Sequence, residues 1–121
     1  MYKLSFYITL VSCILVSCLR PSVQAGDQGV VAPFGNYKYC MVAVSSERFI
    51  EGKNYQDQDN IDALINLESQ GQITTIPRGT EVTVIETNVG LENRLAKIRV
   101  ILPMLDVDEV YIEQSCLIPK N

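Results

Sequence analysis

Apolar and polar residues alternate with a period of two at residues 81–84 and again at residues 95–101, a pattern typical of half-buried β-strands. Ala96, Ile98 and Val100 would share one face of such a strand, and the lysine and arginine between them would share the other. Together with β-branched and aromatic content, the pattern predicts strands at residues 37–44, 72–76, 81–86, 95–101 and 110–117. The fold is therefore expected to be mainly β.

One segment between the first two predicted strands has helical spacing instead. Asp59 is a candidate N-cap answered three residues later by Asp62, and Gly71 is a natural stop. Apolar residues recur between them at Ile61, Leu64 and Ile65. We therefore expect one short helix over residues 59–70, and a loop over residues 45–55, which include Gly52 and Asn54.

The first 25 residues form an export signal. Lys3 supplies a positive start, and residues 4–19 are an uncharged apolar run. A helix of this run would be about 24 Å long, short of the roughly 30 Å hydrocarbon core of a bilayer. The pattern favours a signal peptide over a permanent transmembrane helix.

Two ways of processing this signal are open. Val23 and Ala25 are acceptable to a signal peptidase, and a cut before Gly26 would release a soluble protein. Alternatively, Leu15-Val16-Ser17-Cys18 resembles the lipobox of bacterial lipoproteins, in which the chain is cut before a lipidated cysteine, here Cys18. The segment before Cys13 resembles it too, but leaves a rather short apolar run. In the lipoprotein case residues 19–35 would act as a tether.

The exported domain is acidic. The full chain has a net charge of −4, and the two basic residues Lys3 and Arg20 precede Gly26 while all 14 acidic residues follow it, so the domain after residue 25 carries about −6. Such a surface repels phosphate backbones, and no lysine or arginine run is present. Nucleic acid is excluded as a partner, and a membrane contact is expected only through a lipid anchor.

Cys40 and Cys116 are expected to pair, because an even number of cysteines in a small exported domain usually indicates a disulfide. The bond would close a loop of about 76 residues, worth about 4 kcal/mol in chain-entropy models. Thiol catalysis needs a base or a cation to activate the sulfur. The chain has no histidine and no basic residue beside Cys116 in sequence.

Three short segments are similar to the bacterial SH3-like (SH3b) domain family. They are Arg78–Val84, Ala96–Val100 and Val110–Leu117, which match the family's turn, central strand and closing strand, with Tyr111 where the family usually has tryptophan. The resemblance implies a small five-stranded SH3-like barrel over residues 36–119, with the helix inserted before its second strand and residues 26–35 as a linker. The first and last strands of such a barrel are neighbours, as the Cys40–Cys116 pair requires.

The same resemblance implies a ligand groove lined by aromatic side chains from the long first loop and the closing strand, here Tyr55 and Tyr111. The alternative is that both tyrosines are packing residues. Asp57, Asp59 and Asp62 invite comparison with a calcium-binding loop, but Ile61 and Asp62 stand where an EF-hand needs a ligand and a glycine. No metal and no cofactor are therefore expected. Because the chain has no histidine, acid–base catalysis would depend on carboxylates or lysine, and a domain this small has little room for a deep pocket, so no enzymatic activity is expected; a carboxylate hydrolase is the minority alternative.

The expected function is a non-enzymatic binding or structural module of the cell envelope. Its partner would be peptidoglycan or another envelope protein, and the protein would be either lipid-anchored or secreted. The alternative is a secreted inhibitor or immunity-type protein that blocks an enzyme through its acidic surface.

Overall fold

The computed structural model describes residues 21–90, 94–102, 105 and 107–120. The apolar run of the predicted export signal, with Cys13 and Cys18, lies outside these residues, and so do the first 17 residues that a lipoprotein signal would comprise. No helix in the described part of the chain is long and apolar enough to cross a bilayer.

The fold is mainly β, as the alternating pattern predicted. Within the described residues the strands form a single antiparallel sheet in the order β3-β2-β6-β5-β4-β1-β7. Their bounds are β1 Gln28–Val31, β2 Tyr39–Ala43, β3 Ile73–Pro77, β4 Glu81–Val89, β5 Leu95–Arg99, β6 Glu109–Glu113 and β7 Leu117–Pro119. The sheet is not closed, so its two edges are β3 and β7.

One face of the sheet surrounds the larger apolar cluster. Ala96, Ile98 and Val100 all point into it, as their alternation predicted. Every strand contributes at least one buried side chain to this cluster, including Val42 of β2, Ile112 of β6 and Leu117 of β7. The interior is apolar: no polar or charged residue among those described is buried.

Two helices cover the other face. They are α1, Ser46–Asp57, and α2, Ile61–Ser69. The second confirms the helix predicted from Asp59 to Gln70, although Asn60, not Asp59, is the N-cap and accepts a hydrogen bond from the Ala63 N–H. Beneath the helices lies a smaller apolar cluster formed by Ala43, Phe49, Leu67, Ile73 and Leu95.

Helix α1 replaces the loop that was predicted for residues 45–55. Ser45 caps it by accepting a hydrogen bond from the Arg48 N–H. Gly52 lies inside the helix, where Met41 packs closely against it: a Cβ at this position would be 3.1 Å from the Met41 Sδ atom. A glycine that suggested a loop is thus explained by close packing.

The segment predicted as a linker, residues 26–35, is also part of the fold. Gln28–Val31 forms β1, which pairs with β4 and β7. The predicted closing strand is divided, because a 3-10 turn at Gln114–Cys116 separates β6 in the middle of the sheet from β7 at its edge. The described chain thus has seven strands and two helices where five strands and one helix were expected.

Candidate functional site

A cleft of about 460 Å³ opens at one end of β2. The loop between β1 and β2, helix α1, the end of β6 and the 3-10 turn all meet there. We call it the aromatic cleft. Its walls are formed by Pro33, Phe34, Tyr37, Tyr39, Cys40, Met41, Phe49, Lys53, Gln56, Glu113 and Cys116.

Three aromatic side chains at the aromatic cleft are largely exposed. Phe34 is 55% exposed, Tyr37 75% and Tyr39 57%. All three lie within six residues of one another in the sequence, in the loop before β2 and at its first residue. A group of exposed aromatic rings beside a cavity is typical of an interaction site rather than of ordinary surface.

Arg78 holds the loop that carries these rings. Its Nη2 atom donates to the carbonyl oxygens of Pro33 at 2.8 Å, Gly35 at 3.1 Å and Tyr37 at 2.8 Å. Its backbone N–H also donates to the Lys38 carbonyl at 2.8 Å. A single guanidinium therefore fixes the path of the loop, which a lysine ammonium with its smaller, non-planar donor set would do less well.

A charged pair lies in the wall opposite the aromatic loop. Lys53 Nζ on α1 is 2.8 Å from Glu113 Oε1 at the end of β6. The hydrogen bond from Lys53 to Glu113 raises the pKa of Lys53, against a smaller opposing effect of burial. The pair ties the helix to the sheet and places both a donor and an acceptor beside the cavity.

Cys40 and Cys116 both line the aromatic cleft. Cys40 on β2 is buried in the larger apolar cluster. Cys116 is half-buried at the end of the 3-10 turn and packs against that cluster. Residues far apart in sequence are thus brought to one cavity, and the disulfide between them stays a prediction.

The two tyrosines expected from the family resemblance lie elsewhere. Tyr55 and Tyr111 are half-buried and pack against the smaller apolar cluster under the helices. Neither lines the aromatic cleft, and Tyr111 borders a separate depression with Lys97 and Glu109. Tyr37 and Tyr39 are the tyrosines that the fold places at the cavity.

The aromatic loop had a signal in the sequence: three rings around Gly35, just before a strand. The alternating pattern predicted the strand but gave no role to the rings. Only the fold shows that the rings line the same cavity as Lys53 and Glu113. Within the described ranges, no group of three or more histidine, cysteine, aspartate or glutamate side chains is placed to hold a metal ion.

Arg48 and Arg99 form the exposed ion pairs Arg48–Glu51 and Arg99–Glu109, both away from the aromatic cleft. They stabilise surfaces of α1 and of the β5–β6 pair. Comparison of this chain with protein-family models, with curated proteins and with solved structures finds no match.

Proposed function

We propose that this protein is a non-enzymatic binding module of the cell envelope that holds a peptidoglycan unit in the aromatic cleft. The observation that carries the proposal is the set of three exposed rings beside a cavity of about 460 Å³. That volume falls within the roughly 300–1,000 Å³ range of sites for small ligands.

The chemistry of the cavity fits a sugar–peptide unit. Aromatic rings such as Tyr37 and Tyr39 offer flat apolar faces for sugar rings. Lys53, Gln56 and Glu113 offer a cation, an amide and a carboxylate that can pair with the hydroxyl, amide and charged groups of a stem peptide. A concave site of this size favours such a unit over a flat protein partner, which needs about 800 Å² of contact surface.

We also propose that the open sheet is a relative of the SH3-like barrel. Two of the segments that carry the resemblance form neighbouring strands: Arg78–Val84 forms the turn into β4 and its first half, and Ala96–Val100 forms most of β5. In this proposal the extra strands β1 and β7 enlarge one edge of the sheet, and helix α1 completes the binding cavity.

Co-sedimentation with purified peptidoglycan tests the binding proposal. We expect the protein to sediment with the polymer, and Tyr37→Ala and Tyr39→Ala each to weaken binding about tenfold, equivalent to about 1.4 kcal/mol. Ile101→Ala is the matched control, because Ile101 is the most exposed of the large apolar side chains and lies outside the cleft.

Absence of sedimentation would refute the peptidoglycan proposal. Equal binding by Tyr37→Ala and by Ile101→Ala would show that the aromatic cleft is not the site. A salt-sensitive, stoichiometric complex with a basic secreted enzyme, without peptidoglycan binding, would instead establish the inhibitor function that the acidic surface suggests.

A further inference from the structure

Val23 belongs to the folded domain, although it precedes the predicted signal peptidase site at Ala25–Gly26. Its side chain is 3% exposed and is part of the larger apolar cluster. Burying a valine side chain contributes to stability in proportion to the apolar surface removed from water. A cut before Gly26 would remove this side chain from the core.

The backbone around the predicted cut is also part of the fold. The Gln24 N–H donates to Asp27 Oδ2 at 2.8 Å, and the Asp27 N–H donates to the Gln24 carbonyl at 3.0 Å. Gly26, with φ +92°, occupies the left-handed region that this turn requires. The turn folds the chain back and directs Val23 to the apolar cluster.

The same turn begins the pairing of β1 with β4. The Gly26 N–H donates to the Val84 carbonyl at 2.8 Å, and the Val84 N–H donates to the Asp27 carbonyl at 2.9 Å. Pairing then continues directly with Gln28 opposite Thr83. The domain therefore begins at Val23, not at the end of a linker.

We infer that export processing cuts this chain upstream of Val23, and that of the cuts predicted from the sequence the one before Cys18 is used. The inference rests on the proposed location in the cell envelope but not on the proposed ligand. Cleavage before Cys13 would also keep Val23, but it leaves a shorter apolar run in the signal. The Cys18 sulfur first takes a diacylglyceryl group from a membrane glycerophospholipid: a thioether C–S bond forms, the C–O bond to the phosphate breaks, and the phosphorylated headgroup leaves with the thiol proton. The cut then hydrolyses the Ser17–Cys18 peptide bond and leaves a carboxylate on Ser17 and an amine on Cys18.

This assignment shortens the tether. Residues 19–35 were expected to separate the domain from a lipid anchor, but the domain now begins at Val23. The five residue steps from Cys18 to Val23 span at most about 18 Å when fully extended. A lipid on Cys18 would therefore keep Val23 within about 18 Å of the membrane surface.

Intact mass of the full chain, expressed with its own signal in a host that processes lipoproteins, tests the cut. We expect a product that begins at Cys18 and carries the added mass of a diacylglyceryl group. Cys18→Ala should accumulate as the uncut precursor, whereas the matched control Cys13→Ala should be processed like the wild type. A product that begins at Gly26 or at Cys13 would overturn the assignment.

A second variant tests whether Val23 is part of the exported domain. Val23→Ala preserves the small residues that a signal peptidase needs, so it does not block that route. We expect it to lower the midpoint of denaturant unfolding of the processed protein, whereas Val107→Ala at an exposed position does not. An unchanged midpoint in Val23→Ala would overturn the inference. Both readouts are independent of peptidoglycan binding.

Discussion

The sheet interior and the aromatic cleft use large apolar side chains in opposite ways. Inside the sheet, Ile98, Ile112 and Val42 are inaccessible to solvent and are surrounded by other aliphatic groups. At the aromatic cleft, Phe34, Tyr37 and Tyr39 are more than half exposed. Side chains of the first kind stabilise the fold, whereas rings of the second kind can gain contact area only when something binds. The contrast separates stability from function within one small domain.

The largest effect should come from the interior. Ile98→Ala removes a fully buried side chain from the middle of β5, and we expect it to lower the free energy of unfolding by about 2–5 kcal/mol. Tyr37→Ala should change it by no more than about 0.5 kcal/mol, because that ring is mostly exposed. Urea unfolding of both variants measures these changes. Equal losses of unfolding free energy in the two variants would contradict the prediction.

The next largest effect on stability is expected from Cys40 and Cys116, which line the aromatic cleft. In an oxidising buffer that contains oxidised glutathione, we expect Cys40 and Cys116 to join, and the intact mass to fall by two hydrogens. Reduction should then lower the free energy of unfolding by about 2–4 kcal/mol. A Cys40→Ala, Cys116→Ala double variant should be insensitive to reductant. A wild-type protein whose stability and mass do not respond to the oxidant would refute the pairing.

A smaller effect is expected at the base of the aromatic loop. Arg78→Lys retains the charge but loses the planar donor group that reaches three carbonyl oxygens. We expect a loss of about 1–2 kcal/mol in stability and faster hydrogen exchange in residues 34–38. Arg48→Lys, in an exposed ion pair, is the matched control and should leave exchange in this loop unchanged.

The smallest effect should come from the charged surface of the β5–β6 pair. The hydrogen bonds from Arg99 and then Lys97 lower the pKa of Glu109 below its ordinary value of 4.5. A carboxyl group whose pKa is lowered by folding stabilises the protein at pH values above its ordinary pKa. This contribution is lost as the pH falls through the pKa of the folded state. Urea midpoints of the wild type and Glu109→Gln should therefore converge as the pH falls from about 6 to well below 4.5, and a constant gap would contradict this cause.

Regular alternation explains why the middle of the sheet could be predicted. In residues 96–99, Ala96 and Ile98 face the larger cluster while Lys97 and Arg99 pair with Glu109, so a period of two is visible in the sequence. Helix α2 was predicted for a similar reason, because its apolar residues follow a helical spacing. In both cases, neighbouring residues alone carry the signal.

The segments that were missed depend on distant partners. Helix α1 contains Gly52, whose lack of a Cβ leaves room for the Met41 side chain, and its buried residues are few. Strand β1 is short and contains Gly29, and it is stabilised by pairing with β4 and β7, which lie far along the chain. Neither partner is visible within a short window of sequence.

The sequence by itself determined the mainly β class, the net negative charge and the presence of two cysteines in the domain, and it predicts an export signal. Composition, charge and periodicity are local properties that do not depend on how the chain folds. Only the tertiary structure decided that Arg78 orders the aromatic loop, that Lys53 and Glu113 face the same cavity, and that Val23 is in the core. These features require residues far apart in sequence to meet, and that depends on the pairing of strands and the packing of helices rather than on any short stretch of the chain.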